Sequence, residues 1–207
     1  MMFQKLFLCS FLLFTSVSIK AETGSNLLDK FLLNTTTMQA EFKQELHDNH
    51  GFLLQESAGT FSLQRPGKFL WDYVRPYEQK IISNGTKIWI YDSELEQVSV
   101  KKYDQVLTGA PVLLLDKQKP LDEDFMVFDL GQQKGLFWVR LEPKATENDF
   151  KQIKIAMDGE RLHTMKLIDN FDQTTSLMFI NLQTNITLEQ DLFDFVPPSG
   201  TDIVGDF

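Results

Sequence analysis

RPGKFLWDYVRPYEQKIISNGTKIWIY, residues 65–91, is the stretch whose reading decides the fold. Phe69, Trp71 and Tyr73 recur at a period of two, which sets three aromatic rings on one face of a strand. Pro76 ends that strand, and a second follows as far as Asn84-Gly85. This pair predicts a tight type I′ hairpin turn, whose two central residues both need positive φ. The chain then returns through Trp89-Ile90-Tyr91, so the stretch reads as a run of antiparallel strands.

The same period extends outward. Ala40, Phe42 and Leu46 alternate with Glu41, Lys43, Glu45 and His47 ahead of an Asp48-Asn49-His50-Gly51 turn, and Val98 and Val100 share a face. Further turns are expected at 131–135, 157–161 and 169–174. Strands at this spacing predict a large antiparallel sheet that curls. Two segments break the pattern. Leu27, Leu28, Phe31 and Leu32 recur at helical spacing behind Ser25 and Asn26, which suit an N-cap, so a helix is expected within 22–38. Residues 103–117, containing Val106, Leu107 and the Val112-Leu113-Leu114-Leu115 block, read as one or two short helices. Pro111 suits a first turn, which predicts a break near Gly109-Ala110.

At the N-terminus, Lys5 precedes an apolar run over 6–17 that is too short to span a hydrocarbon core of roughly 30 Å. Residues 1–21 therefore read as a cleaved export signal, and 22–207 as one domain. Cys9, the sole cysteine, lies in that run behind Leu8, where lipid attachment would want a small residue. The exported chain is expected to carry no lipid, disulfide or thiolate metal site. Lys5 and Lys20 leave with the signal and no acid does, so 20 basic groups become 18 against 29 acidic ones, and the formal charge moves from −9 to −11. That excess disfavours nucleic acid and anionic membrane surfaces as partners.

Catalytic signatures are missing from the sequence. It contains no G-x-S-x-G, H-E-x-x-H or phosphate-cradling glycine loop, and His47, His50 and His163 share no ligand spacing. No cofactor, metal or enzymatic activity is expected. What stands out is aromatic content, with 18 Phe and 3 Trp.

The phrase R-P-x-x-F-x-W at 65–71, the strands and turn after it, V-x-V-K at 98–101, the PVLLL block at 111–115 and FVPPSG at 195–200 together resemble the periplasmic outer-membrane lipoprotein carrier family, LolA. The resemblance covers nearly all of 22–207. It implies an α+β, mostly β fold, with a curled antiparallel sheet forming an unclosed β-barrel under a helical lid. It also implies a periplasmic, monomeric, non-enzymatic chaperone for acylated lipoproteins. Such a carrier is loaded by an ATP-driven inner-membrane complex and relieved by an outer-membrane receptor. On the same grounds the acyl-chain cavity draws on Met38, Phe42, Phe61, Leu63, Trp71, Ile88 and Ile90, with Val112, Leu113 and Leu114 as lid. Arg65 takes the position of the family's arginine that holds the empty cavity shut. Phe69 takes that of an aromatic at the cavity mouth, where partner proteins make contact. The alternatives are an outer-membrane acceptor of the same fold, a lipid- or lipoprotein-sensing regulatory domain, and an enzyme acting on lipids.

Overall fold

The computed structural model describes residues 22–103, 111–116, 119–145 and 148–205. The expected export signal and the break near Gly109-Ala110 lie outside them. Helix α1, Gly24–Asn34, buries Leu27, Leu28, Phe31 and Leu32, as their spacing predicts. Its cap is Thr23 rather than Ser25 or Asn26; the Thr23 hydroxyl accepts from the Asn26 amide at 3.3 Å. Ser25 is engaged elsewhere, since its amide and hydroxyl both donate to the Asp129 carboxylate, at 2.8 and 2.7 Å. The helix also stops short of the expected 38. Thr35, Thr36 and Thr37 are stiff, β-branched residues, and Asn185 pins the exit by accepting from the Thr36 amide and donating to the Asn34 carbonyl.

Twelve described strands form one sheet: β1 Thr37–His47, β2 Leu53–Gln64, β3 Lys68–Arg75, β4 Gln79–Asn84, β5 Lys87–Asp92, β6 Gln97–Lys102, β7 Phe125–Gln133, β8 Leu136–Pro143, β9 Phe150–Asp158, β10 Arg161–Asp169, β11 Thr174–Thr184 and β12 Asp202–Gly205. Their order is β12-β6-β5-β4-β3-β2-β1-β11-β10-β9-β8-β7, antiparallel except for β12 beside β6. The end strands β12 and β7 do not pair, so the sheet curls without closing. Helix α1 packs on the β7–β10 half. The short helix α2, Pro111–Asp116, begins at the proline that suited a first turn, and contributes buried Val112, Leu114 and Leu115 to the same core.

The β4–β5 turn departs from the type I′ reading. Gly85 has φ +91° but Asn84 does not have positive φ. Asn84 instead remains in β4, and its side-chain oxygen accepts from the amides of Thr86 and Lys87, each at 3.0 Å. That side-chain turn replaces the backbone turn which Asn-Gly usually makes.

The sheet has a second buried layer on its outer face. Ile82 pairs with Trp89, and Trp89 with Val100; Ile82, Val98, Val100 and Phe193 are all buried outside the main core. Phe195 covers Trp89 and Tyr91, at ring separations of 6.3 and 5.7 Å.

Gly59 on β2 stands where the neighbouring strand leaves no room for a side chain. A Cβ there would stand 1.9 Å from the Asp72 carbonyl oxygen of β3. Gly59→Ala is expected to cost about 1 to 3 kcal/mol. Thermal unfolding should show the midpoint lowered by roughly 3 to 10 °C.

Candidate functional site

The concave face of the curled sheet is apolar from strand to strand. Met38 and Phe42 on β1, Phe61 and Leu63 on β2, Trp71 on β3 and Ile88 on β5 are each no more than 4% exposed. Ile90 is half-buried against them, and Val112 and Leu114 lie over the same cluster from α2. The side chain of Leu113 lies outside the described residues. Aromatic edges organise the floor: Trp71 meets Phe61 at 4.6 Å and Phe42 at 5.3 Å, and Phe42 meets Tyr73 at 5.1 Å. The Tyr73 hydroxyl donates to Gln44, and burial pushes its pKa up to about 12. The other half of the core, with Val139, Leu141, Ile155, Met165 and Phe179, did not figure among the expected residues. Its signal was present in the alternation of Ile153, Ile155 and Met157.

Phe69 does not sit at a solvent-exposed mouth. It is 3% exposed and belongs to the core, because the β3 pleat that carries Trp71 inward also carries Phe69 inward.

Arg65 leaves the end of β2 and is 7% exposed. Its Nε donates to the Leu115 carbonyl at 2.8 Å and its Nη2 to the same oxygen. Its Nη1 donates to the Leu32 carbonyl and, at 2.7 Å, to that of Thr35. These carbonyls belong to the C-terminal ends of α2 and α1, where helix dipoles are negative. Neither helix has a basic residue in its own last turn, so one cation from the sheet serves both. Burial lowers the guanidinium pKa to about 10, offset in part by Asp116, so the group stays charged at neutral pH.

Asp116 and Tyr103 escaped the sequence reading. The Asp116 carboxylate accepts from the Gly67 amide at 2.9 Å and from the Tyr103 hydroxyl at 2.6 Å, fastening the end of α2 to the β2–β3 turn. Ser83 supports the same turn by donating to the Gly67 carbonyl. Burial, and then the bond to Asp116, raise the Tyr103 phenol pKa above its ordinary 10.0. No pattern in the sequence pairs residues 49 positions apart. Among the described residues, no three His, Cys, Asp or Glu side chains converge on a point that would hold a metal. An open cleft at the opposite end of the strands from Arg65 has a mixed lining, with Gln44, Ser57, Arg75 and Asp92 beside Tyr77 and Leu95.

Two outcomes follow from these positions. Phe69→Glu buries a carboxylate and should lower the thermal midpoint by roughly 10 °C or more. Asp116→Ala should destabilise by about 1 to 3 kcal/mol. It should also move the Tyr103 titration to lower pH, read by tyrosinate absorbance. In the intact protein the folded form holds the Tyr103 proton longer than the unfolded chain does. Stability must therefore fall as pH rises through 10.0, and Asp116→Ala should weaken that fall.

Comparison with known proteins agrees with this architecture. The profile of the outer membrane lipoprotein carrier protein LolA matches residues 33–196. An outer-membrane lipoprotein carrier protein from Methylococcus capsulatus is 45% identical over 184 residues, 89% of this chain and 88% of that one. Its counterpart from Dechloromonas aromatica is 38% identical over 194 residues, 93% of each chain. A crystal structure of an uncharacterized conserved protein from Thermus thermophilus superposes with a TM-score of 0.56, at 10% identity over 87% of this chain and 96% of that one, a likeness of fold alone. With the profile spanning most of the chain and relatives this similar end to end, the protein belongs to the outer membrane lipoprotein carrier family, LolA.

Proposed function

We propose that this chain is a non-enzymatic periplasmic chaperone that carries lipoproteins from the inner to the outer membrane. Their acyl chains would lie between the concave face of the sheet and the helices above it. Arg65 carries the reading: a buried cation whose bonds to α1 and α2 hold the roof on an apolar interior. Relatives named as lipoprotein carriers, matched over 88% and 93% of their length, support it over an acceptor or a sensor. Among the described residues no helix is long and apolar enough to cross a membrane. The donor would be an ATP-driven inner-membrane complex and the acceptor an outer-membrane receptor, since the carrier itself holds no energy source.

A closed empty state has a physical reason. An open cavity would display an apolar patch of more than a few hundred Å² and invite aggregation. Full burial of several long acyl chains, at about 0.8 kcal/mol per CH₂, would bind too tightly for release. Bonds made only in the closed state lower the apparent affinity for cargo and so permit handover.

Hydrogen bonds to a charged group are worth about 1.5 to 3 kcal/mol, so Arg65→Leu should bind an acyl probe roughly 10- to 100-fold more tightly and deliver it poorly. Arg65→Lys should fall between, keeping the charge without the planar fork. Probe affinity and transfer to the acceptor, measured in parallel, decide the matter. Weaker probe binding in Arg65→Leu with normal transfer would sink the latch.

A further inference from the structure

We propose that Trp71 is a polar subsite within the cavity, whose indole N–H receives the carbonyl oxygen of the ester or amide that joins an acyl chain to its cargo. The inference rests on the carrier reading and goes from a class of cargo to the atom that reads it. Trp71 lies on the concave face of β3, between Phe61 of β2 and Ile81 of β4, and is 4% exposed. Its ring packs against Phe61 and Phe42, with Tyr73 nearly parallel at 6.3 Å and 19°. The neighbouring hydroxyl is already engaged, since Tyr73 donates to Gln44.

Trp71 Nε1 is fully enclosed and donates to nothing among the described residues. Aromatic faces are weak acceptors and do not replace a carbonyl. The one other enclosed atom in that condition, Arg140 Nε, stands 3.2 Å from the Glu142 carboxylate. Among the described residues Trp71 Nε1 is thus an enclosed donor left without a hydrogen-bond partner. A buried donor without a partner destabilises the fold, and phenylalanine would fill the floor without that cost. On the carrier reading, an acceptor that arrives with the cargo is what makes the N–H useful.

An acyl chain is apolar except at its link to the cargo. Drawn in beside Trp71, the link carbonyl gives up water and meets the indole N–H as an unengaged donor, since the Tyr73 hydroxyl is already committed to Gln44. An unpaired donor and an unpaired acceptor satisfy each other. A site built around a buried donor also rejects an analogue that lacks the acceptor, so the cavity should prefer acyl chains to alkyl chains of equal length.

Two synthetic probes test this: a peptide whose N-terminal cysteine carries a thioether-linked glycerol with two palmitoyl esters, and the same peptide with two hexadecyl ethers. Affinities for both would be measured with the exported chain and with Trp71→Phe. The ester-to-ether affinity ratio should fall about 3- to 10-fold in the variant, with thermal stability equal or higher. A ratio that the substitution leaves unchanged overturns the assignment, because the ether probe cancels changes in apolar packing. Should Trp71→Phe not fold, the indole proton of Trp71 in the wild type gives the answer. It should shift downfield and exchange more slowly with the ester probe alone. The same response to both probes, or to neither while both bind, overturns the subsite. If neither probe binds the wild type, the carrier reading itself fails and the subsite falls with it.

Discussion

Arg65 is buried with its charge, and the ends of two helices supply the oxygens that make this tolerable. An unpaired guanidinium in that position would cost several kcal/mol. The C-termini of α1 and α2 must therefore meet at one point above the sheet, and the end of β2 fixes where that point is. The rest follows from this constraint. The apolar stripe of α1 faces the β7–β10 half, while α2 brings Val112, Leu114 and Leu115 into the same core. Asp116 supplies a nearby negative charge and at the same time ties α2 to the turn that carries the arginine.

Much of the sheet was legible because its signals are local. Period-two alternation at 40–47, 69–73 and 98–100 names strands and faces without any knowledge of neighbours. Met38, Phe42, Phe61, Leu63, Trp71 and Ile88, expected at a cavity from a family resemblance laid on that alternation, share one buried core. What failed was decided by contacts far along the chain. Ser25 is a good N-cap in isolation, but Asp129, 104 positions away, takes both its donors. The end of α1 depends on Asn185 in the same way. Phe69 was misplaced for a different reason: its nearness to the Pro66-Gly67 turn suggested a rim, while its parity with Trp71 already put it inside.

The outer face shows a further limit of local reading. Trp89 and Tyr91 alternate with Ile88 and Ile90, so the β5 strand is apolar on both sides. An antiparallel strand of that kind needs a cover on each face. The main core covers the inner side, and the segment through Phe193 and Phe195 covers the outer before β12 joins β6 in parallel. The strand pattern signalled that something must lie there, but the identity of the cover came from the opposite end of the chain.

A cation tied to carbonyls is a different device from an apolar plug, and the difference bears on how a carrier of this kind would work. Replacing a buried ionic group by well-packed apolar side chains often stabilises a protein, because no charge has then to be desolvated. A lone leucine at position 65 is not such a replacement, because it leaves the Leu32, Thr35 and Leu115 carbonyls without this donor and so loosens the meeting of the helix ends. The guanidinium holds that meeting only moderately, since much of what it gains from the carbonyls is also offered by water. On the proposed carrier reading, the balance between closed and open would then lie within a few kcal/mol, the range over which cargo binding can shift it. On that reading the buried charge at Arg65 would keep the closed state weak enough to leave.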